Sequence, residues 1–270
     1  MSNETTEYKN SPVITVLMSV YNAQNDLKES VESILKQSFK DFEFIIINDG
    51  SGDGSLAVLE GYARNDPHIR IISHENKGLT KSLNVGIQEA RGRYIARQDA
   101  DDVSYPDRFE KQLALFNSND SLVLVGGNCD DVYEDGSTGI WGYSTPEELH
   151  KIVFFKTPFA HSTVMMRTDV CRALGGYDER YKTSQDMEFW MRFAEKGTLA
   201  MVETPILLRR IVRGSISTRR RWRQFYDALR ARWVHNAGSD RLRALYIAVR
   251  GLVIGLLPPA FIRFLKDRRP

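Results

Sequence analysis

Two stretches of sequence decide the fold class. They are FEFIIIND at residues 42–49 and VITVLMSV at residues 13–20. Both runs are short, almost continuously apolar and rich in β-branched residues. That pattern is typical of strands buried on both faces of a parallel sheet. The segment 23–37 between them has apolar residues at amphipathic helical spacing, namely Leu27, Val31, Ile34 and Leu35. The three segments together predict a strand–helix–strand unit.

The same rhythm continues along the chain. Further strands are predicted over 69–73 and 93–98, and helices over 54–65 and 80–91. Four alternations of strand and helix within about a hundred residues indicate an α/β nucleotide-binding sheet.

The second half of the chain predicts a mixture of elements. A helix over 107–117 follows Pro106, which suits a first helical turn, and a hairpin turns at Asp135 and Gly136. The remaining predictions are strands over 161–167 and 206–212 and helices over 169–174 and 185–196.

The composition is that of a globular protein with a substantial core, with 42% apolar and 27% charged residues in 270. Cys129 and Cys171 are too few for a disulfide framework and lack zinc-ligand spacing. We therefore expect both to be small core residues in a reducing cytoplasm. The polar start MSNETTEYKN lacks the apolar region of a secretory signal.

The charge is divided unevenly. From Arg209 to the end there are sixteen Lys and Arg against three Asp and Glu, a balance of +13 within a net charge of +2. The preceding residues therefore carry a balance of −11. Such a division points to a C-terminal region that meets an anionic surface.

Three polar stretches follow predicted strands directly, at 19–22, 48–53 and 99–102. In open parallel sheets, ligands bind beyond the carboxyl ends of the strands, so these stretches are expected to face one cleft. Taken alone, the middle stretch fits a solvated turn equally well.

The third stretch, in YIARQDADD, carries Asp99, Asp101 and Asp102. Carboxylate oxygens suit Mg²⁺ or Mn²⁺, and one or two are enough when a diphosphate supplies further ligands. Without a cation or hydrogen-bond donors, neighbouring carboxylates repel one another and their pKa values rise. We therefore expect a divalent-metal site here, against the alternative of a solvated acidic turn.

Three segments together resemble the family 2 glycosyltransferases of the GT-A fold. They are VLMSVYNAQNDLKESVESILKQSFKDFEFIIINDGSGDGS, NKGLTKSLNVGIQEARGRYIARQDADD and SQDMEFWMRFAEKG, within 13–197. The resemblance implies a GT-A nucleotide-diphospho-sugar transferase fold, with a mostly parallel central sheet flanked by helices. It also implies a reaction that inverts the anomeric centre of a nucleotide sugar.

The resemblance also implies residue roles. Asp101 would bind the metal with Asp102 in support, Asp99 would lie near the ribose, and Asp186 would be the catalytic base. Asp49 would accept a hydrogen bond from a ring N–H of the donor's nucleobase. The whole implied donor site comprises Ser19, Val20, Tyr21, Asn22, Glu29, Asp49, Lys81, Asp99, Ala100 and Asp101.

Chemistry independently requires a base, because a sugar hydroxyl is a poor nucleophile at neutral pH. The alternative for Asp186 is an acid favoured by the helix dipole in a first turn. His161 could face the acceptor, although a hydrogen-bonded structural histidine is the commoner case. Trp190 and Phe193, at helical spacing beside Asp186, are expected in the core.

The chain departs from the family pattern at three positions. Asn48 and Gln185 replace carboxylates that are frequent there, and Val212 stands where many relatives have a metal-side His. Arg210 or Arg213 could instead neutralise the diphosphate by bidentate contact.

We expect a GT-A catalytic domain over 1–215 and a basic, aromatic-rich helical extension over 216–270. The longest charge-free stretch of the extension, 251–262, is far shorter than the roughly twenty residues that a spanning helix needs. Arginines beside aromatic residues instead favour a helix lying on an anionic leaflet. Packing on the catalytic domain or in a homo-oligomer is the alternative, and no nucleic-acid module accompanies the charge.

The resemblance, together with the basic extension, therefore implies an inverting glycosyltransferase on the cytoplasmic face of the inner membrane. It would move one sugar from a nucleotide donor, expected to be a UDP-sugar, to a glycan on a polyprenyl diphosphate, with Mn²⁺ or Mg²⁺. The rivals are a sugar nucleotidyltransferase and a non-catalytic nucleotide-sugar-binding scaffold. A sugar nucleotidyltransferase would need a Gly-rich phosphate loop after the first strand, and no such loop is found there. A non-catalytic scaffold would have no need of Asp186.

Overall fold

A computed structural model of the chain describes residues 11–142, 146–211, 221–236, 240–243, 245, 246 and 249, with the backbone alone at 146–148 and 221. Its first half alternates strand and helix as predicted. The elements are β1 (Ile14–Val20), α1 (Leu27–Leu35), β2 (Phe42–Asp49), α2 (Ser55–Asn65), β3 (Ile69–His74), α3 (Leu79–Glu89) and β4 (Tyr94–Gln98).

The second half adds strands of both directions. Its elements are β5 (Val103–Ser104), α4 (Arg108–Ser118), β6 (Leu122–Tyr133), β7 (Thr138–Trp141), α5 (Pro146–Ile152), β8 (Met165–Arg167), α6 (Thr168–Ala173), α7 (Gln185–Ala194), β9 (Thr198–Ile211) and α8 (Arg221–His235). The hairpin between β6 and β7 turns where it was predicted, and Gly136 takes the left-handed φ of 79° that the turn requires.

Within the described residues, the sheet has nine strands in the order β3-β2-β1-β4-β8-β6-β9-β5, with β7 beside β6. The strands β1 to β4 are mutually parallel, and β9 pairs parallel with β6, whereas β5, β7 and β8 pair antiparallel. The sheet is therefore mixed. The prediction of a mostly parallel sheet holds for β1 to β4 and is too strong for the later strands.

Several elements differ from the predictions, and α5, like β5, was not predicted. β5 is only two residues long and was not predicted, since no periodicity can show in two residues. β9 begins at Thr198, earlier than the predicted start at 206. The start was predicted too late because Glu203 and Pro205 interrupt the apolar run of the strand. A single strand was expected over 161–167. The first half of this segment is instead a 3-10 turn, His161–Thr163, and only the second half is a strand, β8.

The core lies on both faces of the sheet. Alternate residues of β1 point to opposite sides, so that Val16 and Met18 pack against α1 and α4 while Leu17 packs against α3 and α7. Trp190 and Phe193 of α7 are fully buried, as predicted. Both cysteines are buried, and burial raises the pKa of the Cys129 thiol to about 12. They are core residues.

The helix α8 packs against α7. Met187 and Met191 of α7 meet Ala231 of α8 in a small apolar cluster that also includes Tyr181. His235 contacts two glutamates of the α7 region, 2.8 Å from Glu195 and 3.4 Å from Glu188. The predicted division at residue 215 falls outside the described residues. No helix in the described part of the chain is long and apolar enough to cross a bilayer.

Candidate active site

The carboxyl ends of β1, β2 and β4 lie side by side at one edge of the sheet. Val20 is paired with Asn48, and Met18 with Gln98, so the polar stretches 19–22, 48–53 and 99–102 begin at adjacent strand ends. The convergence predicted from the sequence is therefore present. This edge is where open parallel sheets bind their ligands.

The first two stretches are joined by reciprocal hydrogen bonds. The Asn22 N–H donates to Ser51 Oγ at 3.1 Å, and the Gly52 N–H donates to Asn22 Oδ1 at 2.8 Å. Asn22 has a left-handed φ of 51°, a conformation that the neighbouring structure must hold in place. Beside it, Tyr21 is 55% exposed, whereas Val20 is buried. The exposed ring at a strand end offers a flat apolar surface.

Asp49 is almost fully buried and fixes the following loop. Its two carboxylate oxygens accept from the N–H of Lys77 at 2.7 Å and of Gly78 at 3.0 Å. His74 lies 3.5 Å from the same carboxylate. Asp49 thus shapes the wall of the cleft, and its role toward a nucleobase stays a prediction.

Asp99 is paired with a fully buried cation. The Arg97 guanidinium donates to Asp99 Oδ1 and, at 3.3 Å, to the carbonyl of Leu17. Burial works against the charged form of Asp99, but the charge of Arg97 and the hydrogen bonds to the carboxylate outweigh it. The pKa of Asp99 is therefore lowered. Asp99 is an anion at the mouth of the sheet.

Ser162 links Asp99 to Asp102. Its hydroxyl lies 2.6 Å from Asp99 Oδ2 and also contacts Asp102 Oδ2. Asp102 is buried, and burial together with the charges of Asp99 and Asp101 raises its pKa to about 8. A protonated Asp102 can donate to Ser162 while Ser162 donates to Asp99. One hydroxyl thereby holds two acidic groups together.

Asp101 is the member of the acidic turn that faces solvent. The protein around it and the charge of Asp99 raise its pKa to about 6, and it forms no ion pair with any described residue. No group of three His, Cys, Asp or Glu side chains suited to a metal occurs in the described part of the chain. Within the described residues, the acidic turn therefore offers a metal one solvent-exposed carboxylate, that of Asp101, next to the buried Asp102.

Asp186 lies in the first turn of α7 and is partly exposed. Burial raises its pKa, and the charge of Asp99 raises it further, against the N–H groups at the start of the helix. The residue before the helix, Ser184, has a left-handed φ of 54°. Asn22 and Ser184 are the two described non-glycine residues with positive φ, and both lie at this site.

His161 occupies an aromatic cluster beside the acidic turn. Its Nε2 lies 2.8 Å from the Tyr177 hydroxyl, and its ring packs edge-on against Trp190. Burial and the charge of Arg97 lower the pKa of His161 to about 3, so the imidazole is neutral. This arrangement matches the structural alternative considered for His161.

The remaining predicted residues lie around the rim. Arg210 on β9 donates to the Glu29 carboxylate of α1, so two predicted donor-site residues contact each other. Lys81 is exposed, 3.9 Å from Glu179, and Gln185 is the first residue of α7. Ser19 and Ala100 are partly exposed at their strand ends. Val212 and Arg213 lie outside the described residues.

Comparison with known proteins decides the family. The model of glycosyl transferase family 2 matches residues 15–175, more than half of the chain. This chain belongs to glycosyltransferase family 2. It is therefore an enzyme of the glycosyltransferase class, and the predicted GT-A fold is confirmed.

Two relatives show how far the similarity extends. The glycosyltransferase EpsE of Bacillus subtilis is 40% identical over 191 residues, which cover 69% of this chain and 68% of EpsE. The amylovoran biosynthesis glycosyltransferase AmsE of Erwinia amylovora is 29% identical over 271 residues, which cover 95% of this chain and all of AmsE. The second match includes the basic C-terminal region.

Two solved structures share the fold of this family 2 glycosyltransferase. S. aureus TarS 1–349 in complex with UDP-GlcNAc has a TM-score of 0.69 at 20% identity, covering 88% of this chain and 71% of that one. The Pyrobaculum calidifontis mannosyltransferase PcManGT, in complex with GDP-Man and Mn²⁺, has a TM-score of 0.66 at 15% identity. The match covers 88% of this chain and 69% of the PcManGT chain.

Sequence reasoning missed the polar groups beneath the acidic turn of this glycosyltransferase. Arg97, Ser162 and Arg108 are buried, and among the described residues Arg108 donates to neutral acceptors such as Gln98 Oε1 at 3.0 Å. Burial lowers the pKa of Arg108 to about 9. Gln98 in turn donates to the Asp102 carbonyl at 2.8 Å and so holds the turn. The signal available in sequence was an Arg and a Gln inside an otherwise apolar strand.

Proposed function

We propose that the enzyme transfers one sugar, with inversion, from a UDP-sugar to a hydroxyl of a glycan acceptor. The observation that carries this proposal is the shared cleft. An ionised Asp99, an open Asp101 and a partly buried Asp186 with a raised pKa converge beyond the ends of β1, β2 and β4. Separate acidic turns would not explain this convergence.

The donor would lie along the strand ends. Tyr21 offers its exposed ring to the base, and Asp99 offers a carboxylate to the ribose hydroxyls. Arg210 is close enough to the rim to approach a diphosphate, although it now contacts Glu29. The solved complexes of TarS with UDP-GlcNAc and of PcManGT with GDP-Man support a nucleotide-sugar donor for this fold.

The residues present fit a divalent metal. Asp101 is an exposed carboxylate without an ion pair in the described part of the chain, and a diphosphate can complete a metal shell that has one or two protein ligands. Asp101 would hold Mn²⁺ or Mg²⁺, with Asp102 in support. When bound, the ion stabilises charge on the leaving diphosphate.

Asp186 is the proposed base. As the acceptor oxygen bonds to C1 of the sugar, the bond from C1 to the diphosphate oxygen breaks and the acceptor proton moves to Asp186. Attack from the face opposite the diphosphate inverts C1. A raised pKa makes the carboxylate a stronger proton acceptor, which suits this role.

The test compares Asp186→Asn with Asp169→Asn, an Asp in the first turn of α6 that lies outside the cleft. Asp186→Asn should lower the transfer rate by about 10²- to 10⁴-fold, the usual contribution of a general base. Donor affinity, measured by thermal shift against UDP-GlcNAc, UDP-glucose, UDP-galactose and GDP-mannose with Mn²⁺, should stay unchanged. Equal loss of donor affinity would refute the assignment, and Asp169→Asn should preserve both properties.

The acceptor is proposed to be lipid-linked, with the enzyme held on an anionic membrane surface by its C-terminal region. Two observations support this. Trp222, Tyr226 and Trp233 of α8 are 66%, 60% and 49% exposed and repeat at helical spacing on the side away from buried Asp227 and Ala231. The surrounding sequence from Arg209 onward has a balance of +13, which complements anionic headgroups.

Sedimentation with vesicles tests this attachment. The chain should bind vesicles that contain phosphatidylglycerol and not those of phosphatidylcholine alone. Combined Trp222→Ala and Trp233→Ala should abolish binding, whereas Ile140→Ala, which removes an exposed apolar residue on β7, should not. Equal binding of both vesicle types, or a dimer in light scattering that depends on the two Trp residues, would refute the lipid surface.

A further inference from the structure

Asp227 is a fully buried carboxylate on α8 that holds a loop of the catalytic domain. Its Oδ2 accepts from the N–H of Lys182 at 3.2 Å and from the N–H and Oγ1 of Thr183 at 3.0 and 2.9 Å. Arg223, one turn earlier on α8, donates to both oxygens at 3.2 and 3.1 Å. A buried charge with this many donors fixes the groups that donate to it.

The loop that Asp227 holds leads directly into the proposed base. Thr183 precedes Ser184, whose backbone is left-handed, and Asp186 follows in the first turn of α7. The Ser184 hydroxyl donates to the Gln224 carbonyl of α8 at 3.3 Å. Such a conformation in a residue other than glycine persists only where the surroundings enforce it. Here α8 supplies those surroundings.

The rest of the α7–α8 contact is apolar packing and ion pairing. Met191 and Ala231 pack together, and His235 reaches Glu188 and Glu195. These contacts hold the helices together, but none of them is a hydrogen bond to the 182–184 loop. The loop contacts of α8 are therefore separable by mutation from its general packing.

We infer that Asp227 is a positioning residue for the glycosyl transfer, acting through the 182–184 loop on Asp186. The inference rests on the proposed role of Asp186 as the base. It gives α8 a function in catalysis, separate from any surface that the helix offers to a membrane. A shift of about 1 Å in a reacting group can cost about a hundredfold in rate.

The first experiment compares Asp227→Asn with Ala231→Gly, which weakens the α7–α8 packing and removes no hydrogen bond to the loop. Release of the nucleoside diphosphate from UDP-GlcNAc, or from the sugar nucleotide that gives the largest shift in the donor screen, is followed with Mn²⁺. Asp227→Asn should lower kcat by about tenfold to a hundredfold while KM for the donor changes by less than about twofold. Ala231→Gly should keep kcat. An unchanged kcat in folded Asp227→Asn, or equal losses in both variants, would overturn the inference.

A milder pair guards against misfolding of the first variant. Thr183→Val keeps the side-chain shape but removes the hydroxyl that donates to Asp227, whereas Thr183→Ser keeps the hydroxyl. Only Thr183→Val should lower kcat, by several-fold, and equal rates in the two variants would contradict the role of this contact.

Hydrogen–deuterium exchange separates this inference from the proposed function. The amides of 182–187 should exchange faster in Asp227→Asn than in Ala231→Gly, whatever reaction the enzyme performs. If Asp186→Asn kept full activity, the base assignment would fail while the exchange result still decided whether Asp227 holds the loop. Unchanged exchange in Asp227→Asn would overturn the structural step itself.

Discussion

Replacing Arg97 by Met tests the buried cation under the acidic turn. Arg97 is fully buried, and its partner Asp99 is 31% exposed, so the variant leaves a carboxylate partly buried with the Ser162 hydroxyl as its remaining side-chain partner. Breaking a buried ion pair by removing one partner costs about 3–5 kcal/mol. The partial exposure of Asp99 places the expected loss at the lower end, about 3 kcal/mol.

Urea unfolding followed by circular dichroism measures this loss, and a thermal scan should show a midpoint lower by about 6–12 °C. The double variant Arg97→Met with Asp99→Asn removes both charges and should recover about half of the loss. Lys111→Met is the control, because Lys111 pairs with Asp107 at the surface and its removal should leave stability nearly unchanged. The reasoning is refuted if Arg97→Met costs no more than Lys111→Met, or if the double variant is the less stable of the two.

Three further results are expected. Hydrogen bonds from the His235 imidazole to two glutamates outweigh burial and raise the pKa of His235, so its contribution to stability is complete below about pH 6.5 and is lost as pH rises through the higher folded-state pKa. The stability difference between wild type and His235→Gln should therefore narrow from pH 6 to pH 8 in urea titrations. Ser162→Ala removes the hydroxyl between two acidic groups and should cost about 1–3 kcal/mol in the same assay; a variant as stable as wild type would contradict the bridge. Gly86→Ala places a Cβ 2.1 Å from Leu17 Cδ1 and should destabilise by about 1–3 kcal/mol. Gly61→Ala, where the nearest atom is 4.0 Å away, should stabilise by about 0.5–1 kcal/mol, and the same sign for both glycine changes would contradict the packing.

The sequence predicted the elements whose patterns are long and local. The strands β1 to β4 and their helices follow from runs of apolar residues, and the cleft follows from polar residues at the strand ends. β5 has only two residues and therefore shows no pattern in the sequence. The first half of β9 was not predicted because Pro205 interrupts the apolar pattern of the strand. The antiparallel pairing of β8 depends on contacts between distant segments, which periodicity does not encode.

The candidate site was predictable at its exposed surface and not beneath it. Asp99, Asp101 and Asp186 belong to motifs of the chain, whereas the pairing of Ser162 with Asp99 and Asp102 joins residues about sixty positions apart. Asp227 was hidden for another reason. It is one of three acids among sixteen basic residues from Arg209 onward, so the charge pattern gave no hint that it was buried.

The contact between α8 and the 182–184 loop affects the order in which parts of the candidate active site form during translation. Domains fold from the N-terminus as the chain emerges. The strand ends that carry Tyr21, Asp49 and Asp101 are all made within the first 101 residues, whereas the loop before Asp186 receives Asp227 only when α8 has been made. A nascent or prematurely ended chain would therefore present the proposed donor site while the proposed base is still unsupported, and transfer would stay about tenfold to a hundredfold slower until α8 is in place.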